Sequence, residues 1–118
     1  MKFVPPRKLE HPQTHEWIDQ RSLALERAVA AMIRSQPELI ERAKMTLARW
    51  IAQRQPDVPI ALLEWQDVFE KSTVEEILDF ISQDSEKARR LRQSSPFCGI
   101  LPNEVRFAIL KEYETRST

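Results

Sequence analysis

The apolar positions of this chain recur at helical intervals from residue 14 onward. Ile18, Leu25, Ala28, Val29, Met32 and Ile33 fall close to one stripe, which predicts a first helix from about Thr14 to Arg34. Ser35-Gln36-Pro37-Glu38 then reads as a break and restart. Ser35 can cap, Pro37 sits in a first turn where its missing N–H costs nothing, and Glu38 completes a capping box. Ile40, Ala43, Leu47 and Trp50 follow at intervals of 3, 4 and 3, one buried face of a second helix that runs to about Gln53. The stretch RQPDVP, with two prolines and an aspartate, ends it.

The second half continues in the same way. Leu62, Trp65 and Phe69 share a face of a third helix over Ile60 to Glu70. Ser72 or Thr73 can cap a fourth, with Glu75 or Glu76 three residues on, and Val74, Ile77, Leu78 and Ile81 continue it. A short fifth helix restarts after Asp84 or Ser85; it is strongly polar, and only Ala88 and Leu91 suit a core. A loop from Ser94 to Pro102 separates it from a last helix over Asn103 to Glu114. There Val105, Ala108, Ile109 and Tyr113 are expected inside, with Phe107 and Leu110 opposite, giving the helix two apolar faces. Pro5, Pro6 and Pro12 make residues 1–12 an extended arm. The expected fold is therefore all-α: a compact bundle or array of five to six helices in one domain, residues 13–118, behind a proline-containing N-terminal arm, residues 1–12.

Composition supports this. The 118 residues suffice for one domain with a modest core, and 42% hydrophobic with 31% charged residues is a globular balance. One glycine in the whole chain argues against strands and tight hairpins. A single cysteine cannot form an internal disulfide, and no stretch has the length of a membrane span or a signal peptide, so a cytoplasmic protein is expected.

Net charge is zero, which does not favour a nucleic-acid binder. Charge is nonetheless uneven. Residues 51–83 carry two basic and seven acidic groups, between a basic-leaning N-terminal part and a basic-leaning C-terminal part. Such a middle is either a solvated face or a surface that steers a partner.

No constellation of catalytic residues stands out, and an enzyme is not expected. His11 and His15 are four apart, but Pro12 lies between them and nothing completes a metal set, so neither a metal nor another cofactor is predicted. Cys98 has no histidine near it in the chain and reads as a small packed residue. Ser94 and Ser95 lack a nucleophile elbow and read as helix-ending and turn residues before Pro96. Lys87, Arg89, Arg90 and Arg92 form a basic run on the helix over 86–93 that could track phosphates. The nine-residue loop after it is longer than the turn of a DNA-reading helix-turn-helix, and Glu104 opens the last helix.

The segment DSEKARRLRQSSPFCGILPNEVRFAILKEYE, residues 84–114, resembles a family of small bacterial proteins. Its members carry a similar Arg-Gln-Ser-Ser-Pro-Phe-x-Gly-hydrophobic-Leu segment before a last helix that ends in an aromatic and Glu. RSLALERAVAAMI and LARW are similar as well. Arg92, Gln93, Ser94, Ser95, Pro96, Phe97 and Gly99 match; Pro102-Asn103 departs from the expected Thr-Pro helix start, and Cys98 stands where Ala is usual. The resemblance implies a non-enzymatic, antitoxin-like protein that binds and neutralises a cognate toxin of a two-gene module, with a nucleotidyltransferase-like protein as the partner. The surface expected to do so runs through Arg89, Arg90, Arg92 and Gln93, across Ser94, Ser95, Pro96 and Phe97, with Phe107 on the last helix. Arg92 would act as a charged plug and Phe97 as an apolar anchor. The alternative is a nucleic-acid-binding transcriptional regulator that uses helix 86–93. For Ser94 to Gly99 two accounts stand side by side, a loop that seals the core beneath the last helix and a loop that faces a partner, and they differ in which way Phe97 points.

Overall fold

The helix starts fall where a proline or a capping side chain is available. The clearest is at Thr73, whose Oγ1 accepts from the Glu76 N–H at 3.1 Å while Glu76 Oε1 accepts from the Thr73 N–H at 2.8 Å. This reciprocal capping box opens a short helix with Glu75 and Glu76 in its positively polarised first turn. Ser85 caps the next helix through a 3.2 Å bond from the Ala88 N–H. The computed structural model describes residues 15–116. It contains α1 (His15–Ser35), α2 (Ile40–Gln53), α3 (Ile60–Lys71), α4 (Val74–Ile81), α5 (Glu86–Leu91) and α6 (Asn103–Arg116). Single 3-10 turns, Pro37–Leu39 and Arg92–Ser94, precede α2 and follow α5. Among the described residues there is no strand. The arm expected over residues 1–12 lies outside them.

One capping expectation fails. Ser35 is the last residue of α1, and Gln36 (φ −134°, ψ 80°) breaks the helix without a side-chain cap. Pro37 then opens a 3-10 turn that continues straight into α2, so Ser35 and Glu38 form no capping box.

α1 packs on α4 and α6, and α2 on α3. Arg34 fixes the α1–α4 crossing through Glu75 and Asp79, at 3.1 and 3.2 Å, and Arg27 Nε donates to the Ser82 carbonyl at 3.1 Å. The core gathers the expected Ile33, Ile40, Ala43, Leu47, Leu62, Trp65, Ile77, Leu78, Ile81 and Leu91. Trp65 is its centre, with Phe69, Phe80 and Phe97 around it at centroid distances of 6.0, 5.9 and 5.8 Å. Aromatic edges meet aromatic faces there, the arrangement their quadrupoles favour.

The last helix differs from its expected register. Val105 and Ala108 are exposed, and only Ile109, Leu110 and Tyr113 are half-buried. Its described helix contacts are mainly with α1, along one side, so a narrow stripe is covered and the remaining apolar positions stay outside.

Candidate functional site

Helix α1 carries a charge in the wrong place for a surface residue. Glu26 lies three residues after Leu23 and three before Val29, in the register that points into the core. It is 5% exposed. Burial pushes its carboxyl up from 4.5 to about 7, against the opposing pull of the Ser95 hydroxyl and the Arg92 charge. Its Oε2 has no hydrogen-bond partner.

The second charge comes from the end of α5. The Trp65 indole N–H donates to the Leu91 carbonyl at 3.0 Å, tying that helix end to the core. Arg92 follows immediately and turns inward; its side chain is 3% exposed. Nη1 donates to the Gln83 carbonyl at 2.9 Å, and Asp84 stands 3.9 Å from Nη2. Nε and Nη2, which together form the side edge of the guanidinium, are buried without a hydrogen-bond partner. Burial lowers the Arg92 pKa from its usual value, while the charges of Glu26, Asp84 and Asp19 hold it up.

Glu26 and Arg92 line the same cavity of about 170 Å³, between α1, the loop that follows the second 3-10 turn, and the start of α6. Ser22 and Ser95 add hydroxyls, and Leu25, Val29, Phe97 and Leu101 supply apolar wall. Exposed Cys98, Gly99 and Arg106 border it. Gly99 adopts φ +86°, the left-handed conformation that lets the loop close over this space, and the Arg42 guanidinium donates to its carbonyl at 3.3 Å. Glu26, Arg92, Arg106 and two serines thus stand among apolar side chains around the cavity, while Glu26 Oε2 and Arg92 Nε and Nη2 are themselves sealed off from solvent.

The residues expected to form one partner surface are divided by the fold. Phe97 is 1% exposed and Pro96 is buried, so the loop seals the core and Phe97 is no outward anchor. Arg92 is buried as well and does not project as a plug. Arg90 lies on the surface but is engaged by Glu64 through two bonds, at 2.7 and 3.0 Å, which hold the Glu64 carboxyl below its ordinary value. Arg89 is shared between Asp84 at 3.1 Å and Asp19 at 3.5 Å. Gln93 is exposed; Ser94 and Ser95 are half-buried. Phe107, on α6, is 58% exposed.

Sequence reasoning passed over Glu26, Ser22 and Arg106. For Glu26 a signal exists in RSLALERAVAAMI: a carboxylate in register with an apolar stripe is rare unless something compensates it. Among the described residues no group of three or more His, Cys, Asp or Glu could hold a metal ion, and no helix is long and apolar enough to cross a membrane. His11 lies outside the described residues. The described fold is that of an all-α protein with a buried carboxyl and a buried guanidinium beside one cavity; no protein-family model, curated protein or solved structure matches the chain.

Proposed function

We propose that this chain is a non-enzymatic binding protein of the antitoxin-like kind, which docks a cognate protein partner on α6. The observation that supports it is the exposed apolar side of that helix, where Phe107 is 58% and Val105 36% accessible on an element held mainly from one side. An exposed aromatic at the centre of a helix face is the residue type that anchors protein interfaces. With Phe97 and Arg92 turned inward, the anchor of such a surface is Phe107. The resemblance of residues 84–114 supplies the kind of partner, a toxin encoded by the adjacent gene.

Co-expression with the product of that gene tests it. The expected result is a complex that survives size-exclusion chromatography and relieves the growth defect the partner causes. Phe107→Asp should abolish both and leave the melting temperature unchanged, because the side chain lies outside the core. Absence of a complex with the wild-type chain overturns the antitoxin-like assignment; a complex unaffected by Phe107→Asp overturns α6 as its surface.

A further inference from the structure

Several of the described cations are neutralised within the fold. Arg34, Arg89 and Arg90 each meet a carboxylate, and Lys44 and Lys71 pair with acids on their own helices. Three arginines around one surface groove have no such partner. Arg42, Met45, Thr46 and Arg49 of α2 line the groove together with Cys98 and Gly99 of the loop, and no acidic residue lines it. Arg106 borders the cavity that lies against the same two loop residues. Arg42 Nη2 donates to the Gly99 carbonyl, which leaves its other N–H groups for a ligand; Arg49 and Arg106 make no hydrogen bond or ion pair among the described residues.

The spacing on α2 is specific. Arg42 and Arg49 are seven residues apart, so they share one side of the helix about 10 Å apart along its axis. Met45 lies between them on that side and is 65% exposed. An apolar side chain between two guanidinium groups is the composition of a protein interface, where Arg and Met are enriched. Guanidinium groups grip carboxylates through two parallel N–H bonds. Two carboxylates about 10 Å apart on one side of a partner are what a helix offers at positions seven apart; on a strand that distance is about three residues, which point to opposite faces. A nucleic-acid strand suits the groove less well. No aromatic side chain lines it for bases to stack on, and Met45 interrupts the row of donors that a phosphate backbone would follow.

We propose that this groove docks an acidic amphipathic helix of the protein partner, with two carboxylates seven residues apart on Arg42 and Arg49 and an apolar side chain between them on Met45. The inference rests on the docking of a cognate partner proposed above and adds to α6 a second, charged contact. Arg106 precedes Phe107 on α6, so its unpaired charge lies next in the chain to the apolar anchor of that helix. Electrostatic complementarity of this kind steers the encounter and fixes its register.

The affinity of the full chain for the product of the adjacent gene tests the groove, measured by isothermal titration at about 50 and 300 mM NaCl. Kd should rise at the higher salt. Arg42→Glu/Arg49→Glu should weaken binding by about tenfold or more, and Arg49→Glu alone, which has no intramolecular bond to lose, by about threefold or more. The single variant decides if the double one fails to fold. Arg54→Glu, which reverses an exposed charge outside the groove, should stay within about twofold of the wild-type chain. A complex that forms but is indifferent to Arg49→Glu, or that loses as much affinity with Arg54→Glu, overturns the groove and leaves the docking on α6 standing. Absence of any complex overturns both. A 24-base-pair DNA duplex and a single-stranded RNA are titrated alongside; binding of either that is lost in Arg49→Glu makes phosphate the groove's ligand and overturns the acidic helix.

Discussion

The Phe97 ring stands edge-on to the Trp65 indole, 5.8 Å between centroids, and 5.7 Å from Phe69 in the same orientation. Residues 32 positions apart in the chain thus form one aromatic cluster, and the loop that carries the chain's only glycine and cysteine is part of the core.

Phe97→Ala should therefore behave as a large-to-small core substitution. Losing the buried ring and leaving its cavity costs about 3–5 kcal/mol, read as a shift in the urea unfolding midpoint. Phe107→Ala on the exposed side of α6 should stay within about 0.5 kcal/mol. Equal effects at the two positions are incompatible with the packing described.

Glu26 makes stability depend on pH in a direction opposite to that of a salt-bridged carboxylate. Its carboxyl lies near 7 in the folded protein and near 4.5 in the unfolded chain, so between these values the folded state holds a proton that the unfolded chain has released. Stability then falls as pH rises: the penalty is absent below pH 4.5, grows through this window and is complete above about pH 7. Its full size is about 3 kcal/mol. Denaturant melts at pH 5 and pH 8 should show the loss in the wild-type chain. Glu26→Gln should be the more stable of the two at pH 8 and should lack this component. Other titrating groups, such as the depressed Glu64, act equally in both proteins and cancel in the comparison. An unchanged pH slope in Glu26→Gln is the outcome that would falsify the assignment.

Gly99→Ala tests the loop. A Cβ there would meet nothing within 4 Å, so the cost is conformational alone. At φ +86° it amounts to about 1–2 kcal/mol, measurable by thermal or chemical unfolding. A neutral substitution would mean that the backbone does not hold this conformation in solution.

Thr73→Ala removes one half of the capping box at the start of α4 and should cost about 1 kcal/mol. Thr73→Ser keeps the hydroxyl and should recover most of it. The pair separates loss of the cap from loss of the methyl group.

Much of this molecule is written in local pattern. The intervals of Ile40, Ala43 and Leu47, and of Ala88 and Leu91, are helical periods, and a period fixes which face turns inward wherever a neighbour covers it. The caps at Thr73 and Ser85 are equally local, since donor and acceptor sit within three residues. Gly99 at positive φ follows from its being the one residue in the loop that takes that conformation without strain. The same local logic failed at Ser35, where α1 runs through the expected cap, and at Val105 and Ala108, because a periodic apolar face stays exposed when no element is there to cover it.

What the tertiary structure alone decided are the contacts between distant segments. Arg90 reads from the chain as a free cation on a basic helix, yet Glu64, 26 residues earlier, binds it through both carboxylate oxygens. Arg92 reads as part of the same run, but two positions on, at the start of the 3-10 turn, it is turned inward and feels the charge of Glu26. Burial belongs to what packs against a side chain and not to the side chain itself. The sequence alone determined six helices and a turn; their docking made Phe97 core, left Phe107 outside, and buried a carboxyl and a guanidinium within reach of each other's charge.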